Sequence, residues 1–292
     1  MKILNFGSLN IDCVYEVKNI VNPGETVSSL SRKIFAGGKG LNQSVALARA
    51  GARVYHAGCI GTEGVFLKDL LLSSGVDVSC VYTVSEPTGH AVIQVEHSGQ
   101  NSIVLFGGAN QCITENQIEA ALNNFSKGDW ILLQNEINNL DIIIDKAYKN
   151  GLNIALNPSP LNDKIISLDL NKVTCFIMNE IEGYGLTGES DPQKIIAEMQ
   201  KKYPDATVIL TLGQNGSIYS KNGLIIRQPI FECDVVDTTG AGDTFTGFVL
   251  AGMMSCQPPE QFMQTASKAA AIAVSRHGAS DSVPTLDEVN NF

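Results

Sequence analysis

The sequence lacks the spacings that most metal and disulfide sites require. Its seven cysteines never occur as C-x-x-C, and its four histidines form neither H-x-x-x-H nor H-E-x-x-H. An odd number of scattered cysteines argues against a disulfide framework or a zinc site. The histidine spacing likewise argues against a histidine-ligated metal. A nucleophilic Cys/His pair stays open as an alternative, but no spacing in the sequence supports it.

Basic residues are scarce, and long apolar runs are missing. The 292 residues include 20 Lys and Arg against 30 Asp and Glu, a formal net charge of −10. Without a basic tract, neither a nucleic acid nor an anionic membrane is expected as the main partner. No apolar run reaches 18 residues, and Asn5, Asn10 and Asp12 come too early for a secretory signal. We expect a cytoplasmic protein that acts on a small molecule.

Two common nucleotide-binding patterns are also absent. No G-x-G-x-x-G follows the first apolar run, because Gly58, Gly61 and Gly64 have the wrong spacing. The stretch AGGKGLNQ, residues 36–43, lacks both the G-x-x-x-x-G-K spacing and the following Ser or Thr of a phosphate-binding P-loop. A dinucleotide fold and a P-loop fold are therefore not indicated.

Short apolar runs alternate with helical patterns through most of the chain. Runs such as WILLQ, NIAL, FIM and VILTL are apolar at consecutive positions, as in buried central strands. The alternation predicts an α/β fold in which helices cover both faces of a parallel sheet. Ligands of such sheets bind beyond the carboxyl ends of the strands.

Two stretches break this alternation. Residues 13–36 and 88–107 read as short alternating strands, with turns at Asn22-Pro23-Gly24 and at Ser98-Gly99. We expect two antiparallel ribbons that form a small sheet projecting from the main fold. The apolar face of such a sheet needs a cover, supplied by substrate, by a second subunit or by both.

Polar residues follow nearly every predicted strand. They are Asn10, Asp12, Glu136, Asn157, Asn179, Glu182, Thr211 and Gly213. Each has an ordinary explanation as a turn former or as a helix acid that compensates the dipole. Their shared placement at strand ends instead favours a single binding site at one edge of the sheet.

Two glycine-rich stretches allow a ligand to approach the backbone closely. In AGGKGLNQ, Lys39 and Asn42 could hydrogen-bond a hydroxylated ligand, although Lys39 could equally be a solvated charge. In DTTGAGDTF, residues 237–245, two glycines precede an apolar helical run. Exposed amides at a helix start form a concave anion site, with Asp243 beside it. The alternative is that Asp243 simply caps the helix.

In order and spacing, these motifs resemble the ribokinase branch of the PfkB carbohydrate kinase family. The resemblance covers the whole chain and includes GSLNID, PGET, AGGKGLNQ, NPSP, NEIE, TLGQNG, DTTGAGDTF and AVSRHGASDSVP. It implies a ribokinase-like three-layer α/β/α fold over residues 1–292. The central sheet would be mostly parallel, with a small antiparallel β lid contributed by about residues 13–36 and 88–107.

The resemblance also implies roles for particular residues. Asp243 matches the catalytic base, and the amides of Gly240, Ala241 and Gly242 match an anion hole for the γ-phosphoryl group of ATP. The acceptor would be the 5-hydroxyl of D-ribose. The sugar-binding positions match Asn10, Asp12, Gly38, Lys39, Asn42 and Glu136.

Nucleotide and cation sites are implied in the same way. ATP would be held by Asn179, Thr211, Gly213, Gly216 and Ser267, with Glu182 orienting hydrated Mg²⁺. Ser267 departs from the His or Asn expected at its position. A potassium ion would lie among Asp237, Thr239, Ala273, Arg276, Gly278 and Ser282. The lid would pair with the lid of another subunit in a homodimer.

Several alternatives remain open from the sequence. Another kinase of the same family could act on deoxyribose, fructose, a different sugar or a nucleoside. A non-catalytic sugar or nucleotide sensor belongs to a different class, although Asp243, Glu182 and the glycines argue for catalysis. For the potassium segment, Asp237 could cap a turn while Gly278 ends a helix as its C′ residue.

Overall fold

The main sheet lies at the centre of the molecule. The structure is a computed structural model that describes residues 1–97 and 100–292, and within these residues the main sheet has nine strands. In spatial order they are β5 (Asp77–Thr83), β4 (Val54–Ile60), β1 (Ile3–Phe6), β8 (Trp130–Gln134), β9 (Asn153–Asn157), β10 (Cys175–Asn179), β11 (Thr207–Thr211), β12 (Ser217–Lys221) and β13 (Leu224–Gln228). Neighbours from β5 to β11 are parallel, and β12 and β13 are antiparallel. The mostly parallel sheet that was expected is confirmed.

Helices cover both faces of this sheet. They are α1 (Lys39–Arg49), α2 (Val65–Ser73), α3 (Glu115–Leu122), α4 (Leu140–Lys149), α5 (Asp163–Ile166), α6 (Glu180–Thr187), α7 (Pro192–Lys202), α8 (Ala241–Met254), α9 (Pro259–Val274) and α10 (Leu286–Asn291). One apolar core includes residues of α3, α4 and α7, and a second includes residues of α1, α2, α8 and α9. Over residues 1–97 and 100–292, every helix is too short or too polar to cross a membrane.

The runs read as central strands are the most buried part of the sheet. All five residues of β8, WILLQ, are buried, and so are the three middle residues of β9. Side chains on alternate positions enter opposite cores: Ile131 and Leu133 join one, and Trp130 and Leu132 join the other. Burial on both faces is what a strand that is apolar at consecutive positions requires.

A second sheet projects from the main fold, and we call it the lid sheet. Its strand order is β3 (Ser31–Gly37), β2 (Asn10–Val17), β6 (Gly89–Glu96) and β7 (Asn101–Phe106), counted within the described residues. The β2–β3 and β6–β7 pairs are antiparallel, as expected. The turn at Asn22-Pro23-Gly24 is also present, with Glu25 N donating to Asn22 O over 3.0 Å. The turn expected at Ser98-Gly99 lies outside the described residues.

One feature of the lid sheet differs from a purely antiparallel arrangement. Strands β2 and β6, which join the two hairpins, are parallel. Strand β2 follows β1, and strand β6 follows β5. Because β1 and β5 belong to the parallel part of the main sheet, β2 and β6 both start from carboxyl ends of parallel strands and point the same way. The local alternation of apolar residues predicts each hairpin but carries no information about how two hairpins pair.

Close packing of α1 against α8 brings two distant segments together. A methyl group on Gly247 of α8 would lie 2.4 Å from Cβ of Ala46 in α1. The absence of a side chain at Gly247 therefore allows the two helices to touch. Their first turns, which carry the two glycine-rich stretches, are consequently adjacent at the carboxyl edge of the main sheet.

Candidate active site

Asp243 lies buried in the first turn of α8, with only 8% of its surface exposed. Asn42 Nδ2 donates to Asp243 Oδ2 over 3.0 Å, and Gln43 Nε2 donates to Oδ1 over 2.8 Å. The alternative that Asp243 caps the helix is wrong, because the N-cap residue is Gly240. The partners of this carboxylate are amides of α1, and not the first N–H groups of its own helix.

The backbone before Asp243 takes a conformation that requires glycine. Gly240 has φ 74°, and a methyl group there would lie 3.0 Å from Cα of Ala279. A methyl group on Gly242 would meet no heavy atom of the described residues within 4 Å. The amide of Ala241 donates to Thr238 O over 3.3 Å, so it is engaged within the loop. The open space is therefore at Gly242.

A second cluster forms around the start of α1. The backbone N–H of Lys39 donates to Glu136 Oε2 over 3.0 Å, and the Ser8 hydroxyl donates to the same oxygen. Ser8 Oγ in turn accepts the N–H of Gly40 over 3.1 Å. A methyl group on Gly40 would lie 2.4 Å from Ser8 N, which explains the glycine at this position. These contacts tie the GGKG stretch to the end of β8.

Asn10 and Asp12 complete this cluster from strand β2. The Asp12 carboxyl lies against Gly37, where a methyl group would come within 2.1 Å of Oδ2. Asn10 Oδ1 accepts from Asn110 Nδ2 over 2.7 Å, and Asn110 Oδ1 accepts the N–H of Leu9 over 2.9 Å. The six predicted sugar-binding residues are thus brought into one region: Asn10, Asp12, Gly38, Lys39, Asn42 and Glu136.

The charged side chains in this region shift one another's pKa. Burial alone would lower the pKa of Lys39, but the carboxylates of Asp243, Glu136 and Glu182 outweigh it and raise that pKa. Burial raises the pKa of Glu136, against the opposing effect of its hydrogen bond from Ser8. Burial, and then the charge of Glu136, raises the pKa of Asp12 to about 6. A single lysine thus balances several carboxylates.

A cavity of about 950 Å³ opens beside the start of α8. Of the residues predicted to bind nucleotide or phosphate, those that line it are Thr211, Gly213, Gly216, Ser267, Ala241 and Gly242. Its apolar lining includes Ile230, Phe231 and Val235. The Ser267 hydroxyl donates to Pro229 O over 3.0 Å. A mostly apolar slot that ends at a helix N-terminus suits a planar base joined to phosphates.

Asn179 and Glu182 do not line this cavity in the described residues. They form a capping box at the start of α6, in which Glu182 N donates to Asn179 Oδ1 and Asn179 N donates to Glu182 Oε2, each over 2.9 Å. The alternative that Glu182 is an ordinary acidic residue in the first turn of a helix is therefore consistent with the structure. Glu182 is only 5% exposed, and its carboxylate also raises the pKa of Lys39, which relates it to the cluster above.

The segment predicted to bind potassium is held together by Asp237. Its Oδ1 accepts Thr239 N over 2.9 Å and its Oδ2 accepts Gly278 N over 3.0 Å. Although burial opposes it, these hydrogen bonds lower the pKa of Asp237. Helix α9 ends at Val274 with Ser275 as its C-cap, so the alternative that Gly278 is its C′ residue is wrong.

The other three predicted cation positions have partners of their own. Ala273 O accepts Arg276 N over 3.1 Å, and Ser282 Oγ donates to Ala279 O over 2.8 Å. The Arg276 guanidinium pairs with Glu288 at 2.7 Å. Gly278, Ala279 and Ser282 lie in the turn that packs on Gly240. The segment therefore supports the loop before α8.

Sequence reasoning missed several residues of the site. They are Ser8, Gln43, Asn110 and Gln134. Gln43 follows Asn42 directly in GGKGLNQ, so its place in the motif was the available signal. Asn110 and Gln134 offered none, because their partners lie between 91 and 129 residues away in the chain.

Comparison with known proteins identifies the family of this chain. A model of the family described as "pfkB family carbohydrate kinase" matches residues 1–286. Ribokinase of Haemophilus influenzae is 35% identical over 298 residues, which cover 98% of this chain and 96% of that protein. A deoxyribokinase of Salmonella typhi is 29% identical, covering 100% of this chain and 98% of its own.

A solved structure extends the comparison to the fold. Arabidopsis thaliana ribokinase, complexed with ribose and ATP, matches with a TM-score of 0.87 at 30% identity and covers 99% of this chain and 97% of that one. The expected three-layer fold with its small lid sheet is thereby confirmed. The chain belongs to the pfkB family of carbohydrate kinases.

Proposed function

We propose that this protein transfers the γ-phosphoryl group of MgATP to the 5-hydroxyl of D-ribose. One observation carries the proposal: the buried Asp243 hydrogen-bonds Asn42 of the polar cluster at the start of α1, and it directly follows Gly242, which lines the cavity at the start of α8. In this proposal a sugar in the cluster and a nucleotide in the cavity meet at Asp243. The Arabidopsis relative binds ribose and ATP, which agrees with this arrangement.

In this proposal Asp243 is the general base. Asn42 and Gln43 each donate to one carboxylate oxygen, which leaves each oxygen a further lone pair for the sugar hydroxyl. Lys39 balances the negative charge gathered there. Phosphoryl transfer depends mainly on positioning and charge stabilisation, and the backbone at Gly242, where the start of α8 is open, would supply both.

The sugar would be held by groups that suit vicinal hydroxyls. Carboxylate oxygens of Asp12 and Glu136 accept hydroxyl hydrogens, and the amides of Asn10 and Asn42 add further polar contacts. The Lys39 ammonium supplies donors. The cluster thus offers several acceptors and one cation, as a neutral polyol requires.

Mg²⁺ and K⁺ fit two sets of oxygen donors. Glu182 would hold Mg²⁺ through its waters, because each of its carboxylate oxygens accepts only one hydrogen from Asn179 and keeps a further lone pair. When bound, Mg²⁺ neutralises phosphate charge. Asp237, Thr239 and the carbonyl groups beyond α9 form a donor set of low charge, which suits a large cation such as K⁺.

The substrate is tested by an ADP-release screen over pentoses, hexoses and nucleosides. We expect D-ribose to give the highest kcat/KM. Deoxyribose is the second candidate, because a deoxyribokinase is among the relatives with full coverage. If fructose, another sugar or a nucleoside ranks first, the proposed substrate changes but the proposed kinase activity stands. No turnover with any acceptor would favour a sugar-binding sensor.

The lid sheet leads us to propose a homodimer. Its apolar side chains Ile34, Phe35, Ile103, Val104, Leu105 and Phe106 are between 39% and 65% exposed. These residues lie on β3 and β7, the two edge strands of the lid sheet, and exposed apolar edge strands favour pairing with a second copy.

In this proposal residues 1–292 form one kinase domain, and the family model covers all but the last six residues.

Sugar affinity should depend on pH through Asp12. Its pKa is about 6, and only the ionised carboxylate can accept hydrogens with both oxygens. We expect the KM for sugar to rise as pH falls through 6, by up to about tenfold at pH 5, one unit below that pKa. Asp12→Asn should raise KM at pH 7 and flatten the profile. An unchanged profile in this variant would assign the titration to another group.

Potassium should raise kcat more than it changes sugar affinity. Bound between Asp237 and the turn after α9, it would fix the loop that carries the amides of α8 without touching sugar. The measurement compares initial rates at saturating sugar and MgATP in potassium and in tetramethylammonium at equal ionic strength. Identical rates would leave Asp237 with a purely structural role.

A further inference from the structure

A buried chain of amides leads away from Asp243 into the main sheet. Gln43 donates to Asp243 Oδ1 over 2.8 Å, and its own Oε1 accepts from Gln134 Nε2 over 2.7 Å. Gln134 Nε2 also donates to Asn5 Oδ1 over 2.9 Å. Asn5, Gln43 and Gln134 have no exposed surface. Because water cannot reach these amides, each one must take the orientation that its neighbours allow.

The direction of the chain is set at Asn5. Its Nδ2 donates to Gly40 O over 2.7 Å. A backbone carbonyl can only accept, so Asn5 must turn its nitrogen to Gly40 and its oxygen to Gln134. Gln134 then gives one amide hydrogen to Asn5 and the other to Gln43. Gln43 is left with its oxygen toward Gln134 and its nitrogen toward Asp243, and that nitrogen also donates to Asn157 Oδ1 over a longer 3.5 Å.

The far end of the chain carries no charge that could reverse this direction. Asn5 Nδ2 also donates to Ser44 Oγ over 2.8 Å, so the hydroxyl hydrogen of Ser44 is free to point at His56 Nδ1, 2.8 Å away. His56 is fully buried, and burial lowers its pKa to about 4. With a pKa that low, His56 is neutral throughout the pH range in which such an enzyme is assayed.

We propose that Gln134 is a positioning residue: by giving both amide hydrogens away, it keeps the nitrogen of Gln43 turned toward Asp243. The inference rests on the proposed role of Asp243 as the base. A reversed Gln43 would place its oxygen against Asp243 Oδ1 and push the carboxylate off its two donors. Only Asn42 would then hold it.

Charged groups around Asp243 cannot replace this contact. Lys39 attracts the carboxylate and Glu136 repels it, while Glu182 competes for the same lysine. Asp12 acts on Glu136, one step further away. All of these groups lie on the side of the sugar cluster or of α6. On the side of the main sheet, the hydrogen bond to Asp243 comes from Gln43.

A double-mutant cycle tests this positioning of Asp243 by Gln134 through Gln43, which we call the relay. Gln134→Met keeps the length of the side chain and should lower kcat by about two- to tenfold, the effect of one neutral hydrogen bond, with little change in the KM for sugar. Gln43→Met should cost at least as much. Because Gln134 acts through Gln43, the double variant should match Gln43→Met alone. Additive losses, or wild-type kcat in Gln134→Met, would overturn the proposal.

A control variant separates the proposed role of Gln134 from the general loss of a glutamine side-chain hydrogen bond, although Gln200 is only partly buried. Gln200 in α7 donates its Nε2 to Ala206 O over 3.0 Å and takes no part in the site. Gln200→Met should therefore keep wild-type kcat and KM. A similar fall in kcat in this variant would mean that the cycle reports stability, and it would overturn the positioning role.

Gln134→Glu gives a signature in pH that a structural role does not. The introduced glutamic acid still donates one hydrogen while protonated, but once ionised it can only accept, so Gln43 must turn its amide round. Full burial raises the pKa of a glutamate by several units, to as high as about 8–9, and kcat should fall as the introduced carboxyl ionises. The fall should be absent from wild type, from Gln134→Met and from Gln134→Glu combined with Gln43→Met. Persistence in the combined variant would show a direct charge effect instead.

The results also separate this inference from the proposed function. No phosphate transfer by the wild-type protein to any sugar would overturn the function itself. An active wild type with an inactive Asp243→Asn, combined with Gln134 variants that behave as wild type, would overturn only the relay. If thermal unfolding of Gln134→Glu is not cooperative, this variant is not folded, and the double-mutant cycle of Gln134→Met and Gln43→Met tests the positioning role alone.

Discussion

Replacing Asp243 with asparagine should abolish turnover while sugar and ATP still bind. The substitution removes the proton acceptor, and general-base catalysis typically contributes about 10²- to 10⁴-fold to the rate. The fold should accept it. Asn42 Oδ1 has no partner among the described residues, so its amide can rotate and accept a hydrogen of the introduced asparagine.

The measurements for Asp243→Asn are kcat by ADP release, and binding of each ligand by calorimetry. Retention of more than about a tenth of wild-type kcat would remove Asp243 from the role of base. Loss of both binding and activity would instead indicate that the substitution disturbs the cluster around Asn42 and Gln43. Near-wild-type binding with no turnover is the expected outcome.

Gly242→Ala should inactivate the enzyme without weakening the fold. The added methyl group meets no described heavy atom within 4 Å, and alanine favours a helix over glycine by about 0.5–1 kcal/mol. The methyl group should instead keep a phosphoryl oxygen from the exposed amides. Loss of one such donor typically lowers kcat by about 10²- to 10³-fold.

Gly247→Ala is the contrasting variant in the same helix. Its methyl group would lie 2.4 Å from Cβ of Ala46, so it should separate α1 from α8 and lower the melting temperature together with kcat. The informative pair is thus an inactive but stable Gly242→Ala and a destabilised Gly247→Ala. Full activity in Gly242→Ala would mean that phosphate does not approach this backbone.

The main sheet was predictable from sequence because its signals are local. Runs such as WILLQ are buried as expected, since hydrophobic periodicity is written in consecutive residues. The glycine-rich stretches were also correctly placed at the ends of elements, because turn chemistry is local too. The parallel pairing of β2 with β6 was not predictable, since it depends on where both strands leave the main sheet.

The inner part of the site could not be predicted for a related reason. Local sequence patterns allow Asp243 to be a helix cap, because they describe only the helix that contains it. Its partners Asn42 and Gln43 lie about 200 residues earlier in the chain. Gln134 closes an apolar strand and gave no sign that its amide would reach Gln43. Buried amide contacts become visible only when the packing of helices and sheet is known.

The most direct test of the account is to identify the phosphorylated product by ³¹P NMR. Wild-type protein, MgATP and D-ribose in potassium buffer should yield ribose 5-phosphate and one ADP for each sugar consumed, and Asp243→Asn should yield neither. Phosphate on another hydroxyl would contradict the proposed placement of the sugar against Asp243. No ribose-dependent product at all would contradict the proposed substrate.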